Sequence, residues 1–411
     1  MNAGARTMLS RRLLLGTAAG LGGTLAAPGL IRAQSTSTPI RIGEINSYTS
    51  QPAFTLPYRN GWQLALDHVN AAGGVLGRKL EIVSRDDAGR PQDAVRIAGE
   101  LVNDAKVDLL AGAFLSNIGL AISDFAAQNK TLYVGGEPLT DALIWEKGNK
   151  YTYRLRPGTY MQSAMLVEEA AKLPARRWVT VAPNYEYGQS AVKWFKQLLS
   201  AKRPDVEFVG EQWPALGRID AGATVGALAG PKPDAIFNVT FGADLTNFVR
   251  QGNTRSLFEK RSVVSMLTGE PEYLEPLGDE TPEGWIVTGY PVDTLVTAES
   301  KAFSTAYRGK FSEAPKCGSV VGFALVNAIV AGILKTGSTG GDAMAAGFQG
   351  AQFETPFGRA MFRALDHQAT LGAFVGKLGL KDGRGTMVDW RYVDGAAALP
   401  PDDVVKAMRP A

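Results

Sequence analysis

Residues 70–87 read NAAGGVLGRKLEIVSRDD, joining the end of a helix to a glycine turn and then to a strand that finishes in two carboxylates. Upstream, Trp62, Ala65, Leu66 and Val69 recur at helical spacing, so the preceding helix carries an apolar face. Gly73 and Gly74 supply the permissive backbone that ends it. The pattern predicts one strand over 79–84 and an earlier one over 40–45, and strand, helix, strand is the repeating unit of an α/β sheet. Asp86 and Asp87 are adjacent and therefore point to opposite faces, which suits a turn at the sheet edge better than a metal or acid–base pair.

The alternation continues outward. PQDAVRIAGELVNDA reads as a helix with Pro91 in its first turn, and residues 107–114 as a buried strand. Ser116-Asn117 opens a helix whose stripe is Ile118, Ala121, Ile122 and Phe125, with Ser116 in the capping position. A strand over 131–134 leads into Gly135-Gly136-Glu137. After YTYRLRPGTY, residues 151–160, the pattern restarts with a strand over 178–182, a loop to Gly188, and a helix bearing Val192, Phe195, Leu198 and Leu199. Strands follow over 207–211, 235–239 and 285–288, and Asp220 precedes the small-residue helix AGATVGALAG.

The fold expected is thus α/β: two doubly wound lobes joined by a hinge of about three crossings. The first crossing is read in 151–160 and the second at Gly289-Tyr290-Pro291; a third, just before FETPFGRAMFRALDHQ, residues 353–368, is implied by the resemblance of that passage to the late strand-turn segment of a known family. This assigns 39–156 with 292–352 to the first lobe and 157–291 with 353–411 to the second. Residues 323–334 form the clearer of two apolar helices returning the chain to the first lobe.

RIGEIN, the helix after it and NAAGGVLGRKLEIVSRDD together resemble the amino-terminal signature of periplasmic solute-binding proteins of the Leu/Ile/Val-binding family, the type I periplasmic binding protein fold. The similarity runs from about Pro39 to the final residues. It implies a protein that captures a small molecule for an ABC transporter permease by hinge closure, without chemistry or cofactor. The ligand implied is an amino acid or a related small carboxylate or amide, and the protein is expected to be a monomer. A ligand-sensing subunit of a receptor would have the same fold, and an exported cofactor-dependent enzyme is a more distant alternative.

The first 33 residues fit export. Ser10-Arg11-Arg12 is followed by an uncharged stretch over 13–31 and then Arg32-Ala33, which resembles a twin-arginine signal. Its glycines and Pro28 weaken a spanning helix, and no other segment is read as long and apolar enough to cross a membrane. Four of the 43 basic residues, Arg6, Arg11, Arg12 and Arg32, lie there with none of the 40 acidic ones, so the remainder balances at 39 against 40 and the net charge of +3 becomes about −1. That removes any electrostatic reason to expect nucleic acid or membrane surface as a partner. The single Cys317 cannot form an internal disulfide. Only His68 and His367 are present, in no metal-binding cluster, and GxSxG, P-loop and GxGxxG motifs are absent.

In an open α/β sheet, ligands collect beyond the carboxyl ends of the strands. Ser116 and Asn117 stand at such an edge, where a helix amino terminus favours an anion. By resemblance they hold the ligand's carboxylate. The segment Gly135-Gly136-Glu137-Pro138-Leu139 falls where the family completes that pocket with small and hydroxyl-bearing residues, so Glu137 and Leu139 are candidates. Glu137 departs from the pattern, because it would repel a carboxylate unless it turns away or receives an ammonium or amide. Tyr187, with the weaker Tyr185, precedes a helix and matches an aromatic wall, and Phe241 matches another. Glu270 lies where some relatives place an acid for an ammonium group. Tyr48, beside Ser47 and Thr49, is expected to close over the ligand.

Overall fold

A computed structural model describes residues 38–410; the export signal expected over 1–33 lies outside the described residues. The first lobe alternates β1 (Ile40–Asn46), α1 (Pro52–Ala71), β2 (Leu80–Asp86), α2 (Pro91–Asn103), β3 (Leu109–Gly112), α3 (Ser116–Gln128), β4 (Tyr133–Gly135) and β5 (Thr152–Arg154). These strands make one parallel sheet in the order β2-β1-β3-β4-β5. The chain reverses direction across the sheet between β1 and β3, so the loops after them diverge and leave a crevice at their carboxyl ends. Asp86 and Asp87 serve the turn there: Asp86 accepts from the Ala88 amide, while buried Asp87 accepts from the Ser47 hydroxyl and the Gly89 amide.

The chain crosses at 155–158 into α4 (Thr159–Ala170), β6 (Arg177–Val181), α5 (Glu186–Lys202), β7 (Glu207–Gln212), α6 (Ala221–Ala229), β8 (Ala235–Asn238), α7 (Gly242–Thr254), β9 (Ser262–Gly269), the short α8 (Pro271–Leu274) and β10 (Ile286–Gly289). It crosses back at 290–297 into α9 (Ala298–Phe311) and α10 (Cys317–Thr336), then forms the hairpin β11 (Gln352–Thr355) and β12 (Gly358–Met361). Finally β13 (Ala373–Lys381) and β14 (Arg384–Val393) complete a seven-stranded sheet, β14-β13-β10-β9-β8-β6-β7, with β13 antiparallel to both its neighbours. The architecture is two doubly wound lobes joined by three crossings.

The third crossing differs from expectation. The β11–β12 hairpin packs on α10, and Gln368 bridges Arg154 at the edge of the first sheet, so the chain leaves the first lobe near 370–372 and not before 353. The end of the chain also departs from the second lobe assigned to 353–411: residues 395–398 pack on α4 of that lobe, but Arg409 donates to the carbonyls of Ile144 and Asn149, beside the first sheet. Helix α1 starts earlier than its apolar stripe suggests, at Pro52, which places Phe54 and Tyr58 on its buried side.

Helix α10 corrects the reading that no later segment has the length and apolarity of a membrane span. It has both over 20 residues, but 72% of its apolar window is buried within the protein. Its partner is α1, and the two backbones touch. A Cβ on Gly61 would lie 2.0 Å from the Ser319 carbonyl oxygen, and one on Gly322 would lie 2.0 Å from that of Tyr58.

Candidate functional site

The first wall of the site is built on the loops after β3 and β4. Ser116 is the first residue of α3, not its cap; Leu115 holds the cap position, with no side-chain hydrogen bond. The Ser116 hydroxyl instead accepts from the amides of Leu139 and Thr140, at 3.2 and 3.1 Å, and so pins the loop after β4 against the helix start. The first-turn N–H groups of α3 have no partner within the helix and face the crevice edge. Beside them the Asn117 Oδ1 is buried and accepts no hydrogen bond from the described residues.

Two arginines, one ending β5 and one in the first crossing, fix the rest of that loop. Arg154 is fully buried and donates to the carbonyls of Leu139 and Thr140, to Asp141 Oδ1 at 2.6 Å, and to Gln368. Two residues on, Arg156 donates to Glu137 Oε1 from the first lobe and to Glu270 Oε1 from the second, over the Phe54 ring. Its side chain and those two carboxylates are 7, 3 and 1% exposed. Glu272, also buried, accepts from the Gly318 amide at 2.6 Å. The Oε2 of each of the three glutamates is buried without a partner among the described residues.

Three buried carboxylates around one guanidinium leave an excess of negative charge. Burial raises the Glu137 carboxyl from its ordinary 4.5 to about 8, against the opposing pull of Arg156. Burial likewise raises Glu272. Burial works most strongly against the charge on Arg156, but Glu137 and the other groups around it, Glu272 among them, together outweigh it and hold the guanidinium above its ordinary range.

The second wall is aromatic. Tyr185 and Tyr187 flank the start of α5, and Phe241 holds the cap position of α7. Ring centroids lie 5.8 Å apart for Tyr187 and Phe241, 5.9 Å for Phe241 and Phe114 across the cleft, and 5.2 Å for Phe114 and Phe54. Tyr187 is 1% exposed, and its hydroxyl has no partner among the described residues. These groups line a small, partly open pocket between the lobes. Phe114, Ser116, Glu137 and Leu139 line it from the first lobe; Tyr185, Tyr187, Phe241 and Leu267 line it from the second. A larger groove, about 1080 Å³, runs past Pro271, Tyr290, Arg308 and Arg384. Its arginines are exposed, so the smaller pocket with buried, convergent polar atoms is the better solute site.

A family model described as "Periplasmic binding protein" matches residues 39–384. The chain belongs to that family. Within it, the binding protein is of type I, the Leu/Ile/Val-binding group, whose members are periplasmic solute-binding proteins of ABC transporters and not enzymes. It is 26% identical over 274 residues to the Leu/Ile/Val-binding protein homolog 7 of Brucella abortus, covering 63% of this chain and 67% of that one. It is 25% identical to the leucine-, isoleucine-, valine-, threonine- and alanine-binding protein of Pseudomonas aeruginosa, covering 74 and 80%. Among solved structures, a solute-binding protein of an ABC transporter from Rhodopseudomonas palustris, in complex with 3,4-dihydroxybenzoic acid, superposes with a TM-score of 0.78 at 24% identity, covering 87 and 98%. A branched-chain amino acid transporter protein from Streptococcus pneumoniae, in complex with isoleucine, gives 0.74 at 22%, covering 87 and 99%.

Of the residues expected in the binding protein's site, Ser116, Glu137, Leu139, Tyr185, Tyr187 and Phe241 converge on one pocket. Asn117 lies next to it on α3, and Glu270 stands one layer behind, reaching it through Arg156. Tyr48 is elsewhere: its hydroxyl donates to Glu44 at 2.9 Å and accepts from the Trp62 indole at 3.2 Å, so it is held within the first lobe and does not line the pocket. Sequence reasoning missed Phe114, Leu267, Arg156 and Glu272. For Arg156 a signal existed, since two arginines spaced by two in the crossing Tyr-Arg-Leu-Arg-Pro put both charges on one side of an extended, otherwise apolar segment.

Proposed function

We propose that this binding protein is the solute-binding component of an ABC importer and closes by hinge motion on an amino acid or a related small carboxylate or amide. One observation carries the reading: a single pocket between the lobes brings Ser116 at the first turn of α3 and Glu137 on one wall against the aromatic rings of Tyr187 and Phe241 on the other. A ligand carboxylate gains from the partial positive charge at the helix start. An ammonium or amide group supplies the N–H donors that Glu137 Oε2 lacks among the described residues, displacing the proton that Glu137 carries when the cleft closes without solute. Phe114, Tyr187 and Phe241 cover the apolar body.

The relatives' solutes, isoleucine and 3,4-dihydroxybenzoic acid, share a compact body with a carboxylate. Contacts from both lobes exist together only in the closed state, so the solute shifts the population toward it. A micromolar dissociation constant requires about −8 kcal/mol, within reach of a few hydrogen bonds and aromatic burial. The partner is the importer's permease, the binding protein acts as a monomer in the periplasm, and Arg11-Arg12 directs twin-arginine export.

Isothermal titration calorimetry with branched-chain amino acids, short amides and hydroxybenzoates tests the solute class. Amino acids or amides binding tighter than the benzoates is expected, because the excess of carboxylates favours N–H donors. Binding confined to sugars or peptides refutes the class, and binding confined to benzoates refutes the donor role of the solute. Replacing Arg11 and Arg12 by lysine should leave the protein in the cytoplasm.

A further inference from the structure

Arg156 occupies the first crossing between the lobes, at 155–158, and touches both of them. Glu137 follows β4 of the first sheet, and Glu270 follows β9 of the second. Opening the hinge moves those two carboxylates apart, and one guanidinium cannot stay with both. We propose that Arg156 is a positioning residue for solute capture: it bridges Glu137 and Glu270 only when the lobes meet, and closure brings one proton to the carboxylates around it. The inference rests on the hinge closure proposed above.

The charge count supplies the proton. Glu137, Glu270 and Glu272 face one guanidinium, and each is at most 2% exposed. Closing the cleft removes all three from water, and a buried carboxylate without a partner cation takes a proton more readily than it stays charged. Among the described residues the neighbouring elements offer no second cation to the cluster. Tyr58 of α1, Tyr185 and Tyr187 at the start of α5, Tyr273 of α8 and Cys317 of α10 face it, and burial pushes every one of them further from ionising. Glu44, behind Tyr58, is itself raised by burial to about 7, so it adds no cation, and it adds negative charge only above that pH. Lys316 acts on Glu272 but is itself paired with Glu275.

In the closed form the Glu137 carboxyl holds its proton up to about pH 8, whereas an exposed one ionises near 4.5. A raised carboxyl favours the closed form fully below the lower value and loses that advantage as pH rises to the upper one. The closed-to-open ratio should therefore fall by up to about tenfold per pH unit between ~5 and ~8, and level off above.

Single-molecule energy transfer reads this ratio without any solute, between dyes on exposed positions of the two lobes introduced by Gln63→Cys on α1 and Ser200→Cys on α5. The expected result is a ratio that drops at least tenfold from pH 5 to pH 8. Glu137→Gln should flatten that dependence, Arg156→Met should lower the ratio at every pH, and Arg156→Lys should restore part of it. A ratio independent of pH, a Glu137→Gln variant with the original slope, or a protein with no closed population overturns the proposal. Failure of the solute proposal would appear separately, as calorimetry without heat for any compound tried.

Discussion

Replacing Tyr187 by phenylalanine should make the protein more stable and its binding weaker. The ring is 1% exposed and held by Phe241 at 5.8 Å and Tyr185 at 6.1 Å, contacts that phenylalanine keeps. What it removes is a buried hydroxyl with no partner among the described residues. Such a group costs about 1–3 kcal/mol, so stability should rise by about 1 kcal/mol. For about 370 ordered residues the unfolding entropy is roughly 0.8 kcal/mol/K, which translates this into a rise of about 1 °C in Tm. A solute that takes up the hydroxyl gains a hydrogen bond of about 0.5–1.5 kcal/mol, so its loss should weaken binding by about 2- to 13-fold. Scanning calorimetry and titration calorimetry on one preparation read the two effects together. An unchanged Kd would show that no solute group meets the hydroxyl, and a Tm lower by several degrees would show that the hydroxyl is partnered after all.

Gly61→Ala should cost about 3 kcal/mol or more, since its methyl group would press on the Ser319 carbonyl where α1 meets α10; denaturant unfolding gives the value. Arg154→Met leaves Asp141 buried without its cation and should cost about 3–5 kcal/mol, a fall of about 4–6 °C in Tm, with solute affinity lost as the loop bearing Glu137 and Leu139 loosens. His367 stacks on Tyr153 at 4.1 Å, and burial lowers its ring from 6.5 to about 4. A depressed histidine contributes stability above its unfolded value that is lost as pH falls through the folded one, here up to about 3 kcal/mol between pH ~6.5 and ~4. His367→Asn, which tolerates the φ of 64° at that position, should remove that part of the acid sensitivity in unfolding curves taken across the range.

The parallel strands and their helices were legible because each announces itself locally. Apolar residues repeat at the period of the element, and Gly73, Gly74 or Ser116 marks an end within a few residues of the true one. The third crossing was not legible, because the β11–β12 hairpin looks like any strand–turn pair and only its packing on α10 places it in the first lobe. The pocket was half legible. Tyr187 and Phe241 stand at helix starts in the connections that follow strands, where position alone implies exposure to a cleft. Tyr48 has an equivalent position, yet Glu44 and the Trp62 indole, partners from the strand before it and the helix after it, hold it away from the pocket. Glu137 was visible as an anomaly, but its answer, Arg156, joins it to a residue 114 positions from that arginine, and charge pairing at such separations leaves no local pattern.

Helix α10 also bears on how the protein can leave the cytoplasm. A translocation machine that threads an unfolded chain meets in residues 317–336 a segment with the length and composition of a stop-transfer sequence, and lateral release of that segment would strand the chain in the bilayer. Once α1 has packed on it, the same helix presents little apolar surface to anything outside. Folding before translocation therefore turns a sorting hazard into an ordinary core element, a benefit that a folded-protein export route would confer without any cofactor to insert.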